Sequence, residues 1–121
     1  MKRDLDLIRK IVLSIEDSPS GWAPSELTID GYTAAQVGYH QYLLCDAGLA
    51  KGEDASHMGS EAPEWMITNL TWEGHEFAEA GRDEGRWKKA MGTVAAKGGT
   101  ITLDVLKQLL IGYMRGTFGL P

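Results

Sequence analysis

The sequence is poor in the residues around which most small enzymes and secreted domains are built. Cys45 is the only cysteine among 121 residues, so no internal disulfide can form, and a reducing cytosol is the expected setting. No apolar run approaches the roughly 20 residues that a membrane-spanning helix needs. The opening MKRDLDLIRK is basic, but charges interrupt the apolar residues after it, and it does not read as a signal peptide. His40, His57 and His75 are dispersed, and Cys45 has no CxxC partner. His40 and Cys45 lie five apart, which does not place them together on one helical face. Cys45 sits beside Asp46 on an otherwise apolar helix, which suits an inert packed thiol better than a nucleophile. Gly98-Gly99 lacks the Lys-Ser/Thr that completes a phosphate-binding loop. The expectation is a protein without catalytic residues, without a metal and without a cofactor.

Positive charge is missing from a long part of the chain. No Lys or Arg lies between residues 11 and 50. Over residues 21–80, Lys51 alone stands against ten acids, giving −9, whereas residues 81–121 are +4 and residues 1–20 are neutral, within a net −5. An acidic middle and a basic tail bear on partners rather than on fold.

The apolar residues that are present fall into readable patterns. Leu5, Ile8, Val12 and Ile15, with Leu7 and Ile11 beside them, predict a helix over 4–17, with Asp4 as its N-cap and Pro19 ending it. SPSGWAPSE then reads as a loop, and the alternation of Leu27 and Ile29 with Thr28 and Asp30 predicts one short strand. A helix at about 33–47 carries signals at both ends. Thr33 and Gln36 can form a capping box, and Tyr32 and Val37 a hydrophobic staple. Gly48 suits a Schellman turn in which Leu49 touches Leu44. Residues 49–51 and 65–70 read as two strands joined by a small, polar, acidic loop.

In NLTWEGHEF, residues 69–77, Leu70 ends the strand facing the core and Thr71 caps the next helix. Glu73 suits the positive end of the helix dipole, and Gly74 permits another backbone to approach. Trp72 and Phe77 are expected to supply apolar area. His75 and Glu76 read as surface neighbours rather than as a catalytic pair. GRDEGR at 81–86 threatens to break this helix, whose spacing resumes at Trp87, Met91 and Val94 and stops at Gly98-Gly99. A last helix spans about 102–115, with Leu103, Leu106, Leu109 and Leu110 on its apolar face.

Helix, short strand, helix, strand, loop, strand, helix is the order of a winged helix, shortened by one helix before the wing at 52–64. The fold class expected is mostly α (α+β): a winged-helix-like domain with a small antiparallel sheet over 1–80, and two additional C-terminal helices over 81–121 packed on it as one domain. The stretches MKRDLDLIRKIVLSIE, GYTAAQVGYHQYLLCDAGL and LTWEGHEFAEAGRDEGRW resemble a domain-of-unknown-function family of short bacterial and prophage proteins. That resemblance implies a small cytosolic protein, often carried on mobile elements, with no catalytic residues to transfer. Gln41 departs from it, standing where the family and winged helices usually place an apolar residue.

Several surfaces are candidates for binding. Fold analogy makes Gln36, Tyr39, His40 and Tyr42 groove-facing residues of a DNA-reading helix. The acids Glu53, Asp54, Glu61 and Glu64 on the wing would repel a phosphate backbone, and they suit a basic protein partner or a mimic of nucleic-acid charge. Arg82, Arg86 and Lys89 fall at i, i+4 and i+7 and form a candidate basic patch. Residues 87–115 are the candidate surface for a homodimer. The reading is a cytoplasmic, non-catalytic protein-binding module with no membrane association, the alternative being a winged-helix DNA-binding regulator.

Overall fold

The structure, a computed structural model, describes all of residues 1–121. It is mostly helical: five helices and one two-stranded antiparallel sheet. The chain divides into two compact units, residues 1–75 and 76–121.

In the first unit, α1 (Leu5–Glu16) is capped by the Asp4 side chain, which accepts from the Leu7 N–H. One face of α1 is fully used: Leu7, Ile8, Ile11, Val12 and Ile15 are all buried. α2 (Ala34–Asp46) has the ends that its sequence predicts. The Thr33–Gln36 capping box is complete. Beyond the helix, Gly48 takes φ +79° and its N–H donates to Cys45 O, while the Leu49 N–H donates to Leu44 O. Those two bonds are the Schellman pattern, and only glycine adopts that φ without a Cβ penalty.

β1 (Ala50–Asp54) pairs with β2 (Trp65–Leu70), and the register shifts between Lys51 and Gly52, leaving Thr68 as the extra residue on β2. Gly52 is required there, because a Cβ would overlap Met66 O and lie 3.0 Å from Ile67 Cα. The bulged Thr68 turns its hydroxyl to Lys51 O at 3.1 Å and receives the Ala23 N–H on its carbonyl at 2.8 Å. The strand expected at 27–30 does not form. Leu27 and Ile29 are half-buried in irregular chain, and the 23–25 segment reaches β2 through the Ala23 bond.

Gln41 meets β2 from the side of α2. It sits in the buried stripe of α2 (Val37, His40, Gln41, Leu44) and is 8% exposed. Its Oε1 accepts the Ile67 N–H at 2.9 Å, so a side chain meets a backbone group that a third strand would otherwise satisfy. The polar residue at an apolar position is therefore satisfied rather than misplaced.

α3 (Trp72–Arg82) starts at Thr71, whose Oγ1 accepts the Gly74 N–H and donates to Gly48 O. A Cβ on Gly74 would overlap the Leu49 carbonyl oxygen, the close backbone approach its sequence context predicts. Phe77 is buried as expected, but Trp72 is 74% exposed and contributes little to the core.

In the second unit, the break threatened at 81–86 falls at Asp83. This residue leaves the helical region (ψ 124°) and caps α4 (Glu84–Ala96) by accepting from Arg86 N–H. Thr102 caps α5 (Leu103–Thr117) in the same way. Phe77, Ala80, Trp87, Ala90, Val94, Leu103, Leu106 and Leu110 are buried, with the Phe77 and Trp87 rings edge to face at 6.5 Å. No helix is long and apolar enough to cross a membrane.

Candidate interaction surfaces

The four residues proposed for the exposed face of α2 do not form one free surface. Gln36 is occupied by the capping box, its Oε1 accepting the Thr33 N–H at 2.8 Å. His40 is not on the surface at all, being 1% exposed. Its Nδ1 lies 2.7 Å from Gln36 O and its Nε2 accepts the Asp4 N–H at 2.8 Å. The neutral imidazole with its proton on Nδ1 satisfies both contacts. His40 therefore ties the first turn of α1 to the middle of α2. Asp4 is the junction, since its carboxylate caps α1 and also accepts the Tyr32 hydroxyl. Burial first, then that bond and the charges of Asp4 and Asp6, push the Tyr32 hydroxyl above its ordinary range. Tyr39 and Tyr42 are half-buried and stack at 6.0 Å, with Tyr42 also 6.1 Å from the Trp65 ring. Only the two tyrosines offer α2 surface of the kind expected.

The acids of the β1–β2 hairpin divide in the same manner. Glu53, Asp54 and Glu61 are exposed. Asp54 Oδ1 accepts the Ser56 N–H at 2.8 Å, and the hydrogen bonds from Ser56 hold its carboxyl below the ordinary range. Glu64 is structural. Its backbone pairs with Ala55 N–H and Ser56 Oγ, its side chain lies 3.6 Å from His57 Nε2, and its stem packs on Gly38. A Cβ on Gly38 would come within 3.1 Å of Glu64 Cβ, so glycine lets the start of β2 lie against α2.

The basic patch is not a single helical face, because the break at Asp83 puts Arg82 at the end of α3 and Arg86 and Lys89 on α4. Arg86 folds back to donate to Ala80 O at 3.1 Å and Glu79 O at 3.3 Å, closing the C-terminus of α3. Lys89 lies over the Tyr113 ring, 4.3 Å from its centroid. His75 Nδ1 pairs with Glu16 Oε2 rather than with Glu76, and the nearby Glu76 lies 3.6 Å from Lys107. No three His, Cys, Asp or Glu side chains converge as a metal would require. Cys45 is half-buried, and burial pushes its thiol up, which disfavours the thiolate.

One further surface lies apart from all of these candidates. A cleft of about 230 Å³ lies between the 22–25 segment and β2, lined by Trp22, Ala23, Pro24, Ser25, Glu53, Met66, Ile67 and Thr68. Trp22 is 65% exposed and Met66 51%. Its one signal in the sequence is a tryptophan standing in a loop of Ser, Pro and Gly, where no core stripe accounts for it.

A family model described as "Hypothetical protein (DUF2513)" matches residues 2–100. The chain belongs to this family. A Haemophilus influenzae relative named "Uncharacterized protein" is 35% identical over 112 residues, covering 90% of this chain and 92% of that protein. The family resemblance read from the three quoted stretches is therefore correct. No solved structure matches the chain.

Proposed function

We propose that this chain is a cytoplasmic, non-catalytic interaction module, winged-helix-like in its N-terminal part and of bacterial or mobile-element origin, that binds a protein partner with a basic surface. The observation that carries the reading is the sign of its charge. Residues 11–50 hold no Lys or Arg, and the wing beside α2 presents Glu53, Asp54 and Glu61 to solvent. Non-specific affinity for a phosphate backbone comes from several cations, and this surface lacks them. The commitment of Gln36 to a helix cap and of His40 to the interior supports the same choice against base reading. A basic, nucleic-acid-handling host protein is the partner class that such a surface suits. Pairing of two copies through residues 87–115 belongs to the same proposal; Val105, half exposed on α5, supports it, and light scattering on the purified chain checks it.

Fluorescence anisotropy with a labelled duplex at about 50 and 200 mM salt tests the reading against DNA binding. The expected result is no saturable binding at either concentration. Useful affinity that falls steeply with salt would replace this reading with that of a DNA-binding regulator.

A further inference from the structure

The geometry points to the Trp22–Met66 cleft as the seat of one large apolar side chain, carried by a segment of the partner protein in which Lys or Arg flanks that side chain. This inference rests on the protein-binding reading above and names its site. Three observations carry it.

The first is size. At about 230 Å³ the cleft falls below the roughly 300–1,000 Å³ of clefts that hold small molecules, yet it has room for a single bulky side chain. The second is rigidity. Ala23 is pinned to Thr68 O, the Trp22 N–H donates to Ser20 Oγ at 3.3 Å, and the Trp22 carbonyl accepts from Ser18 Oγ at 2.9 Å. Pro24 fixes its own φ. The backbone of the 22–24 wall is set before any ligand arrives, so docking does not have to order a loop. An exposed tryptophan and methionine on such walls are the residue types that anchor protein interfaces.

The third observation is charge. Glu53 lines the cleft, Asp54 follows it on β1 with its carboxyl held ionised, and the exposed Glu26 adjoins Ser25. Lys51 is the only Lys or Arg in residues 11–81. A cationic flank on the incoming segment is rewarded and an acidic one repelled.

The test is selection of a displayed library of random dodecapeptides on the immobilised full chain, repeated on the Trp22→Ser/Met66→Ser variant. Both side chains are largely exposed, and a circular dichroism melt verifies that the variant folds. The expected outcome is enrichment of peptides that place Trp, Phe, Leu or Met beside Lys or Arg. A synthetic copy of one such peptide should bind the double variant about tenfold more weakly, the loss typical of an anchor side chain, and should also weaken on Glu53→Lys. Absence of enrichment, enriched peptides without bases, or equal affinity for the double variant each overturns the cleft. Peptides that bind the double variant unchanged but lose affinity on Glu61→Lys would leave the protein-binding reading standing while removing this site. Binding of duplex DNA with no enriched peptide would remove both.

Discussion

Replacing Gly74 with alanine should destabilise the protein, although the same change at most exposed helix-interior glycines does the opposite. Alanine gains roughly 0.8–1.0 kcal/mol over glycine in a helix interior. At Gly74 the added Cβ would overlap Leu49 O, with Leu49 C at 3.0 Å and Leu70 Cβ at 3.2 Å. The obstacle is backbone on a segment fixed at both ends. Leu49 N–H closes the Schellman turn of α2, and Leu49 O accepts the Thr71 N–H at 3.1 Å. Overpacking typically costs 1–3 kcal/mol, and this site belongs at the upper end because no flexible side chain can yield. Separation of Leu49 from α3 also strains the Thr71 bond, at about 1 kcal/mol. After the propensity gain is subtracted, the net loss is about 2–3 kcal/mol, a fall in Tm on the order of 10 °C. Gly92, in α4 with nothing within 4 Å of a built Cβ, is the control, and Gly92→Ala should hold or raise stability. Thermal unfolding followed by circular dichroism reads both variants. A Gly74→Ala protein as stable as the wild type, or the same sign of shift at both positions, would mean that the Leu49 backbone yields to the added Cβ.

Gln41→Leu should cost about 1–3 kcal/mol in urea unfolding, because it restores the expected apolar stripe but leaves the Ile67 N–H buried without an acceptor. A neutral or stabilising result would mean that water or a shifted backbone group takes over. Iodoacetamide should alkylate Cys45 several-fold more slowly in the folded chain at about pH 8 than in urea, since burial raises the thiol and lowers the thiolate fraction; equal rates would contradict that. The sign for stability follows from the same shift. The fold holds the thiol proton more tightly than the unfolded chain, so this contribution is complete below the free-thiol pKa and is lost as pH rises through the raised value. The raised Tyr32 hydroxyl acts in the same direction at still higher pH, so urea midpoints should fall as pH rises from about 9 to about 11, and a rising midpoint would reverse the assignment.

The parts of this fold that sequence discloses are those whose chemistry is local. Thr33, Gln36 and Gly48 lie within a turn of the groups they satisfy, and both ends of α2 follow from them. Thr71 and Gly74 likewise define the strand-to-helix joint. The failures are non-local. Leu27 and Ile29 alternate as a strand does, but pairing requires a free edge on β2, and Gln41 from 26 residues away already meets one of its groups. His40 looks like any polar residue of an exposed helix until α1 is seen to deliver the Asp4 N–H to it. The spacing of Arg82, Arg86 and Lys89 assumes one continuous helix, and Asp83 ends that assumption by capping a new one. Trp22 stands out in its loop, but a loop tryptophan says nothing about which strand it will stand beside.

The contact between Gln41 and Ile67 also bears on how copies of this protein behave when crowded. A sheet of only two strands offers two open edges, and open edges invite further strands from other molecules. Here Gln41 and Ala23 stopper one of them, and Lys51, Glu53 and Asp54 place charge along the other. Both are devices of the kind that discourage edge-to-edge growth into fibres. Gln41→Leu would then reopen a template for aggregation, a liability separate from the stability it removes.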